Sequence, residues 1–143
     1  MQVDLVIELG TSNGGFTRLL MDVCPGAEIH TFDVAPMDQR NLRYFNDDVR
    51  FYNHDIFKSA PAMSLINSLL RRETPKLLYC DNGKKAQEVK LFSRLLNEGD
   101  YIGVHDWGRE IFWRDVAPYI GKWEKIGWPL VEKYGALSRF WRR

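Results

Sequence analysis

An apolar run, Leu5-Val6-Ile7-Glu8-Leu9, passes straight into a glycine-bearing turn, Gly10-Thr11-Ser12-Asn13-Gly14-Gly15. Behind the turn Phe16, Leu19, Leu20 and Val23 recur at helical spacing. Buried strand, tight turn and helix N-terminus in that order leave free backbone N–H groups aimed at whatever binds the turn. The alternative is a glycine turn that serves only to connect a core strand to its helix. A dinucleotide-binding turn of the form G-x-G-x-x-G needs a second glycine two residues after the first, and that place holds Ser12. The turn departs from the dinucleotide form at that place.

The rest of the chain repeats the unit. Cys24-Pro25-Gly26 stops the first helix, and Ala27 to Asp33 alternates before ending on a carboxylate. Asp33 follows Gly10 at about the 20-residue distance at which an acid in a Rossmann-like βαβ unit accepts from ribose hydroxyls; an Asp that only starts a turn is the other reading. Met37 to Phe45 reads as a short polar helix, and Val49 to Asn53 as a strand running into His54-Asp55-Ile56. Pro61 opens a helix with Met63, Ile66, Leu69 and Leu70 on one face and Arg71-Arg72 at its end. Lys76 to Asp81 is a nearly continuous apolar strand followed by Asn82-Gly83-Lys84-Lys85, and Val89, Phe92, Leu95 and Leu96 form the next buried helix face before Gly99. Tyr101 to Val104 is a fifth strand ending at His105-Asp106-Trp107, and Glu110 to Ile120 reads as a helix. Two aromatic-rich extended stretches, Trp123 to Trp128 and Ala136 to Trp141, fit an antiparallel pair at one edge of the sheet. Five βα units and two terminal strands make an α/β fold: a seven-stranded, mostly parallel sheet with a C-terminal antiparallel hairpin and helices on both faces.

Composition limits the partners. With 143 residues the chain has room for one domain, residues 1–143, with a substantial core. A net charge of +1 gives no global reason to expect nucleic acid or membrane, and the basic residues Arg139, Arg142 and Arg143 beside Phe140 and Trp141 are too few to change that. Cys24 and Cys80 have no C-x-x-C spacing and no signal peptide precedes them, so they read as reduced thiols of a cytoplasmic protein. No apolar run approaches the ~20 residues of a membrane span.

The form Glu8-x-Gly10-x-x-x-Gly14-Gly15 resembles motif I of class I S-adenosylmethionine (SAM) methyltransferases, and the sequence of elements resembles that fold along nearly the whole chain. The resemblance implies that Glu8, Gly10, Thr11, Ser12, Gly14 and Gly15 lie around the methionine half of SAM. It also implies that Asp33 and Val34 meet the ribose end, that Asp55 and Ile56 meet the adenine, and that Asp81 closes the cofactor site. Asp81-Asn82-Gly83-Lys84 and the pair after strand five resemble more narrowly the catechol-type O-methyltransferases and the cephalosporin hydroxylase-like branch. That implies a divalent metal held by Asp81, His105 and Asp106, with Lys84, Asp81 and His105 catalytic. Mg²⁺ suits the two carboxylates, whereas an imidazole in the set admits Mn²⁺, Fe²⁺ or Zn²⁺.

The expected reaction is O-methylation of a small hydroxylated or sugar-like acceptor. Catechol-type enzymes carry an N-terminal helical region over the site, and its place here falls to the aromatic residues, the acceptor or a second copy of the chain in a homodimer. Two other functions fit the same fold: a non-catalytic SAM-binding module, and a nicotinamide-dependent oxidoreductase using Asp33 on the ribose, against which Ser12 and the two-strand ending argue.

Overall fold

The computed structural model describes residues 2–143. Strands β1 (Leu5–Leu9), β2 (Glu28–Asp33), β3 (Val49–Asn53), β4 (Lys76–Cys80) and β5 (Tyr101–Val104) are parallel, and β6 (Glu124–Ile126) and β7 (Arg139–Arg142) complete one sheet in the order β3-β2-β1-β4-β5-β7-β6. β7 runs antiparallel to both of its neighbours. The expected architecture is present, with one refinement: the last two strands pair, but β7 is inserted between β5 and β6 instead of extending the edge.

The periodicity of the strands assigns the two faces. Leu5, Ile7 and Leu9 of β1 point into the larger core, together with Ile66 and Leu70 of α3 (Ala60–Leu70), Val89 and Phe92 of α4 (Lys85–Phe92), and Val116 and Ile120 of α5 (Trp113–Ile120). Val6, Ile29 and Leu77 point the other way, under Leu20 and Cys24 of α1 (Gly15–Val23). Ser59 caps α3 through its hydroxyl, which accepts from the Ala62 amide, and a proline stands in the first turn. Four of the five tryptophans form one aromatic group: Trp107, Trp128 and Trp141 lie 5.4–5.5 Å apart by ring centroid, and Trp113 joins through Trp128. Trp141 is fully buried, so packing accounts for the centre of this group.

Three elements depart from the sequence reading. The polar helix after β2 is a single turn, α2 (Gln39–Leu42), capped by Asp38. Helix α5 begins at Trp113, not Glu110, because residues 107–111 close an irregular loop through a Trp107–Ile111 bridge. A sixth helix, α6 (Trp128–Lys133), stands between β6 and β7, so these strands are not joined by a tight turn.

At the amino end of the sheet Lys76 is fully buried, and its Nζ donates to Asp100 Oδ2 at 2.7 Å. Asp100 also accepts from the amides of Lys76 and Asn97. This pair ties the start of β4 to the loop that enters β5. No helix among the described residues is long and apolar enough to cross a membrane.

Candidate active site

The chain turns outward from β1 to β2 and β3 on one side, and to β4 and β5 on the other. The carboxyl ends of β1 and β4 therefore flank the crevice where ligands of open α/β sheets bind. Gly10 leaves β1 with φ +103°, and a Cβ there would stand 2.5 Å from the Asp81 carbonyl oxygen. Only a residue without a side chain lets the two strand ends approach this closely. At the helix entrance Gly14 has φ +75°, and a Cβ there would press on the Phe45 ring and Met37.

Beneath the turn Glu8 is fully buried. Its Oε2 accepts from Thr17 Oγ1 at 2.6 Å and from Thr31 Oγ1 at 2.5 Å, and Thr31 in turn meets Thr11 Oγ1. Its Oε1 has no hydrogen-bond partner among the described residues. Burial raises the Glu8 carboxyl to about 7, against the two threonine hydrogen bonds that favour its anion. Glu8 and Thr11 thus lie under the turn as its support, whereas Ser12 and Gly15 are exposed on its outer side.

Asp33 fixes the turn from β2. Its Oδ2 accepts from the Ser12 amide at 2.7 Å and its Oδ1 from the Ala35 amide at 2.8 Å, while Ser12 holds a left-handed φ of 49°. Each oxygen keeps a lone pair for a ligand hydroxyl. Val34 is exposed beside it. Asp55 forms an Asx turn, accepting from the Phe57 amide at 3.0 Å, and pairs with Lys58. Ile56 points into the core and is fully buried, so of the expected adenine pair only Asp55 reaches the surface.

The ends of β4 and β5 carry the second group. His105 Nδ1 lies 3.2 Å from Asp106 Oδ1 and 3.5 Å from Asp81 Oδ1, and the His105 side chain is 34% exposed. Asp106 adopts a left-handed φ of 56°, which turns its carboxylate back toward β4. Lys85 reaches the same carboxylates: Nζ stands 2.6 Å from Glu110 Oε2, 3.1 Å from Asp106 Oδ2 and 3.3 Å from Asp81 Oδ1. Burial raises the Asp81 carboxyl above its usual range despite His105 and Lys85. Burial acts the same way on Asp106, but hydrogen bonds from Lys85 and His105 outweigh it and hold that carboxyl below its usual range. Burial works against the Lys85 ammonium too, yet the three carboxylates hold it above the ordinary lysine range.

Lys84 is not brought into this group. It is exposed, with its Nζ 5.0 Å from the Phe57 ring centroid. The lysine among the carboxylates is its neighbour Lys85, which the sequence reading passed over, together with Glu110. The donor atoms of Asp81, His105 and Asp106 do lie within 4.8 Å of one another, the spacing a metal needs. Two of those three residues, however, already share a buried cation.

Behind the group Glu88 is fully buried, with neither carboxyl oxygen hydrogen-bonded among the described residues. Burial raises it to about 8, against the Asn82 amide and Lys85, which favour its anion. Glu8 and Glu88 both hold their protons more tightly in the folded chain than at the ordinary value of 4.5. Folding therefore takes up protons between about pH 4.5 and pH 8, and stability falls as the pH rises through that window. Denaturant unfolding is expected to give a more stable protein at pH 5 than at pH 8.5, and Glu88→Gln is expected to remove the larger part of the difference. An unchanged pH slope in that variant would show that Glu88 ionises as it would in water.

Human N-acetylserotonin methyltransferase in complex with SAM superposes with a TM-score of 0.60 at 16% identity, covering 99% of this chain and 48% of that one. A tRNA methyltransferase from Aquifex aeolicus gives a TM-score of 0.54 at 20% identity, over 84% of this chain and 46% of that one. An SAM methyltransferase from Silicibacter pomeroyi gives 0.54 at 23% identity, over 99% and 83%. The chain spans about half the length of the first two, and at these identities the likeness is one of fold. No curated protein matches the sequence. The profile of the FtsJ-like methyltransferases, in contrast, matches residues 2–98, which run from the first strand to the end of the fourth βα unit and contain the glycine turn, Asp33 and Asp81. The chain belongs to the FtsJ-like methyltransferase family.

Proposed function

We propose that the chain binds SAM across the ends of β1 and β2 and catalyses transfer of its methyl group to a hydroxyl of a small hydroxylated or sugar-like acceptor. The observation that carries the catalytic half is the setting of His105. Its Nδ1 is held by Asp106 and Asp81, and no described residue hydrogen-bonds its Nε2, which leaves that nitrogen for the acceptor. An imidazole oriented by a carboxylate is suited to take a hydroxyl proton near neutral pH. SAM supplies an electrophilic methyl group on a sulfonium. His105 Nε2 would accept the acceptor's proton as the acceptor oxygen takes the methyl group, and the neighbouring carboxylates would stabilise the imidazolium. Lys85 does not take the proton, because its carboxylates keep it protonated.

Glu8, Thr11, Gly10, Ser12 and Asp33 support SAM binding by shaping and fixing the turn. A divalent metal, were one bound, would draw on Asp81, His105 and Asp106 and would acidify the hydroxyl, but the proton transfer to His105 does not call for one. A cytoplasmic setting goes with this reading, supported by the free, buried thiols Cys24 and Cys80.

Calorimetric titration with SAM and S-adenosylhomocysteine, followed by transfer of labelled methyl to a panel of hydroxylated small molecules, tests the proposal. Both cofactor forms are expected to bind. His105→Ala is expected to lower kcat by about 10²–10⁴-fold, with SAM affinity unchanged. Absence of binding would overturn the cofactor reading, and full activity of His105→Ala would overturn the base.

A further inference from the structure

The lysine inside the acidic group is costly in place. It is the first residue of α4, where the helix dipole disfavours a positive charge, and its side chain is 4% exposed. A cation carried against both burial and the dipole needs compensation, and it has it: one carboxylate from the end of β4, one from the end of β5 and one from the loop beyond, all within 3.3 Å of Nζ. These three come from the ends of two paired strands and the loop beyond, where the Glu110 amide donates to the Asp106 carbonyl, and Lys85 is the one side chain that reaches all three carboxylates. Asp106 gives one oxygen to Lys85 and the other to His105, and Asp81 Oδ1 faces both cations, so the place of the ammonium also decides where the imidazole is held.

We infer that the Lys85 ammonium is the resident cation of this group, standing where a divalent ion would stand in a metal-dependent relative and holding Asp81, Asp106 and Glu110 in the arrangement that orients His105. Lys85 is a positioning residue, and methyl transfer here runs without a metal. Only that catalytic consequence rests on the methyl-transfer reading; the competition between ammonium and metal does not. The charge argument is direct. The ammonium cancels one of the three negative charges and stands among the carboxylates that a divalent ion would use, so an entering ion meets a weakened field and is repelled by the ammonium itself. Removing the lysine leaves three carboxylates around an apolar stem, a donor set that hard and borderline divalent ions accept.

The test is titration of the full chain with Mn²⁺ alone, by calorimetry and by the loss of the free-ion electron paramagnetic resonance signal, in the absence of SAM. The wild type is expected to bind Mn²⁺ weakly, and Lys85→Met to bind it on the order of a hundredfold more tightly. Lys85→Arg, which keeps the charge, is expected to behave as the wild type. Tight Mn²⁺ binding by the wild type would overturn the inference even if Lys85→Met failed to fold, and so would tight binding by Lys85→Arg. Equal, weak binding by all three proteins, with Lys85→Met shown to be folded by thermal unfolding, would overturn it too. Loss of transfer on exhaustive chelation of wild type that binds SAM would overturn the metal-free reaction. A chain that binds no SAM would refute the methyl-transfer reading while leaving the Mn²⁺ comparison intact.

Discussion

Gly10→Ala is expected to abolish cofactor binding and to lower stability by about 3 kcal/mol or more. Two costs coincide at this position. The backbone lies at φ +103°, where a side chain is strained in any surroundings, and the added carbon would stand 2.5 Å from the Asp81 carbonyl oxygen, 2.6 Å from its carbon and 2.9 Å from the Asn82 nitrogen. These are main-chain atoms that no rotamer change can withdraw. Relief requires the ends of β1 and β4 to separate, which breaks the 2.7 Å hydrogen bond from the Asp81 amide to Leu9. Gly15→Ala is the control: nothing lies within 4 Å of its Cβ, and as the first residue of α1 it gains helix propensity. Denaturant unfolding and SAM titration of both variants check the argument. A Gly10→Ala protein as stable as Gly15→Ala would show that the strand ends are not locked together.

Asp100→Ala is expected to destabilise the fold by about 3–5 kcal/mol, although it is remote from the glycine turn. The substitution leaves the Lys76 ammonium fully buried without its counter-charge and also frees the amides of Lys76 and Asn97. Adding Lys76→Met removes the stranded charge and is expected to recover a large part of the loss, though not the part owed to the two amides. Chemical denaturation of the single and double variants measures both. A double variant no better than Asp100→Ala would place the cost in the amides and not in the ion pair.

The strands were legible because each is a short apolar run punctuated by Gly, Pro or Asp, and the acids at the ends of β2 and β4 mark the crevice in the sequence itself. What was not legible depends on direction. Lys84 and Lys85 are equivalent as letters, but Lys84 is the non-helical residue before α4 and Lys85 the first residue inside it, so one lies on Phe57 and the other reaches the carboxylates. Glu110 was read as helix because its neighbours suit one; in the structure it belongs to the loop before α5, and its charge meets Lys85. The extended stretch read over Trp123 to Trp128 ends instead at Ile126, where a left-handed Gly127 followed by Pro129 in the first turn opens α6. Ile56, read as an adenine contact, is fixed instead by its contribution to the core. The motif-based expectations located the crevice, while the partners inside it came from tertiary folding.

The insertion of β7 between β5 and β6 imposes an order on assembly. In the folded sheet β6 pairs with no strand but β7, which comes later in the chain. A nascent chain that has emerged only through β6 has nowhere to lodge that strand, and it carries β5 as an open edge with unpaired backbone groups. Until β7 arrives, that edge is a template for any other extended segment, including the same edge on a neighbouring molecule. Truncations within 139–142 should therefore give not a trimmed domain but a sticky one, and production of this chain will depend on how quickly β7 reaches its slot.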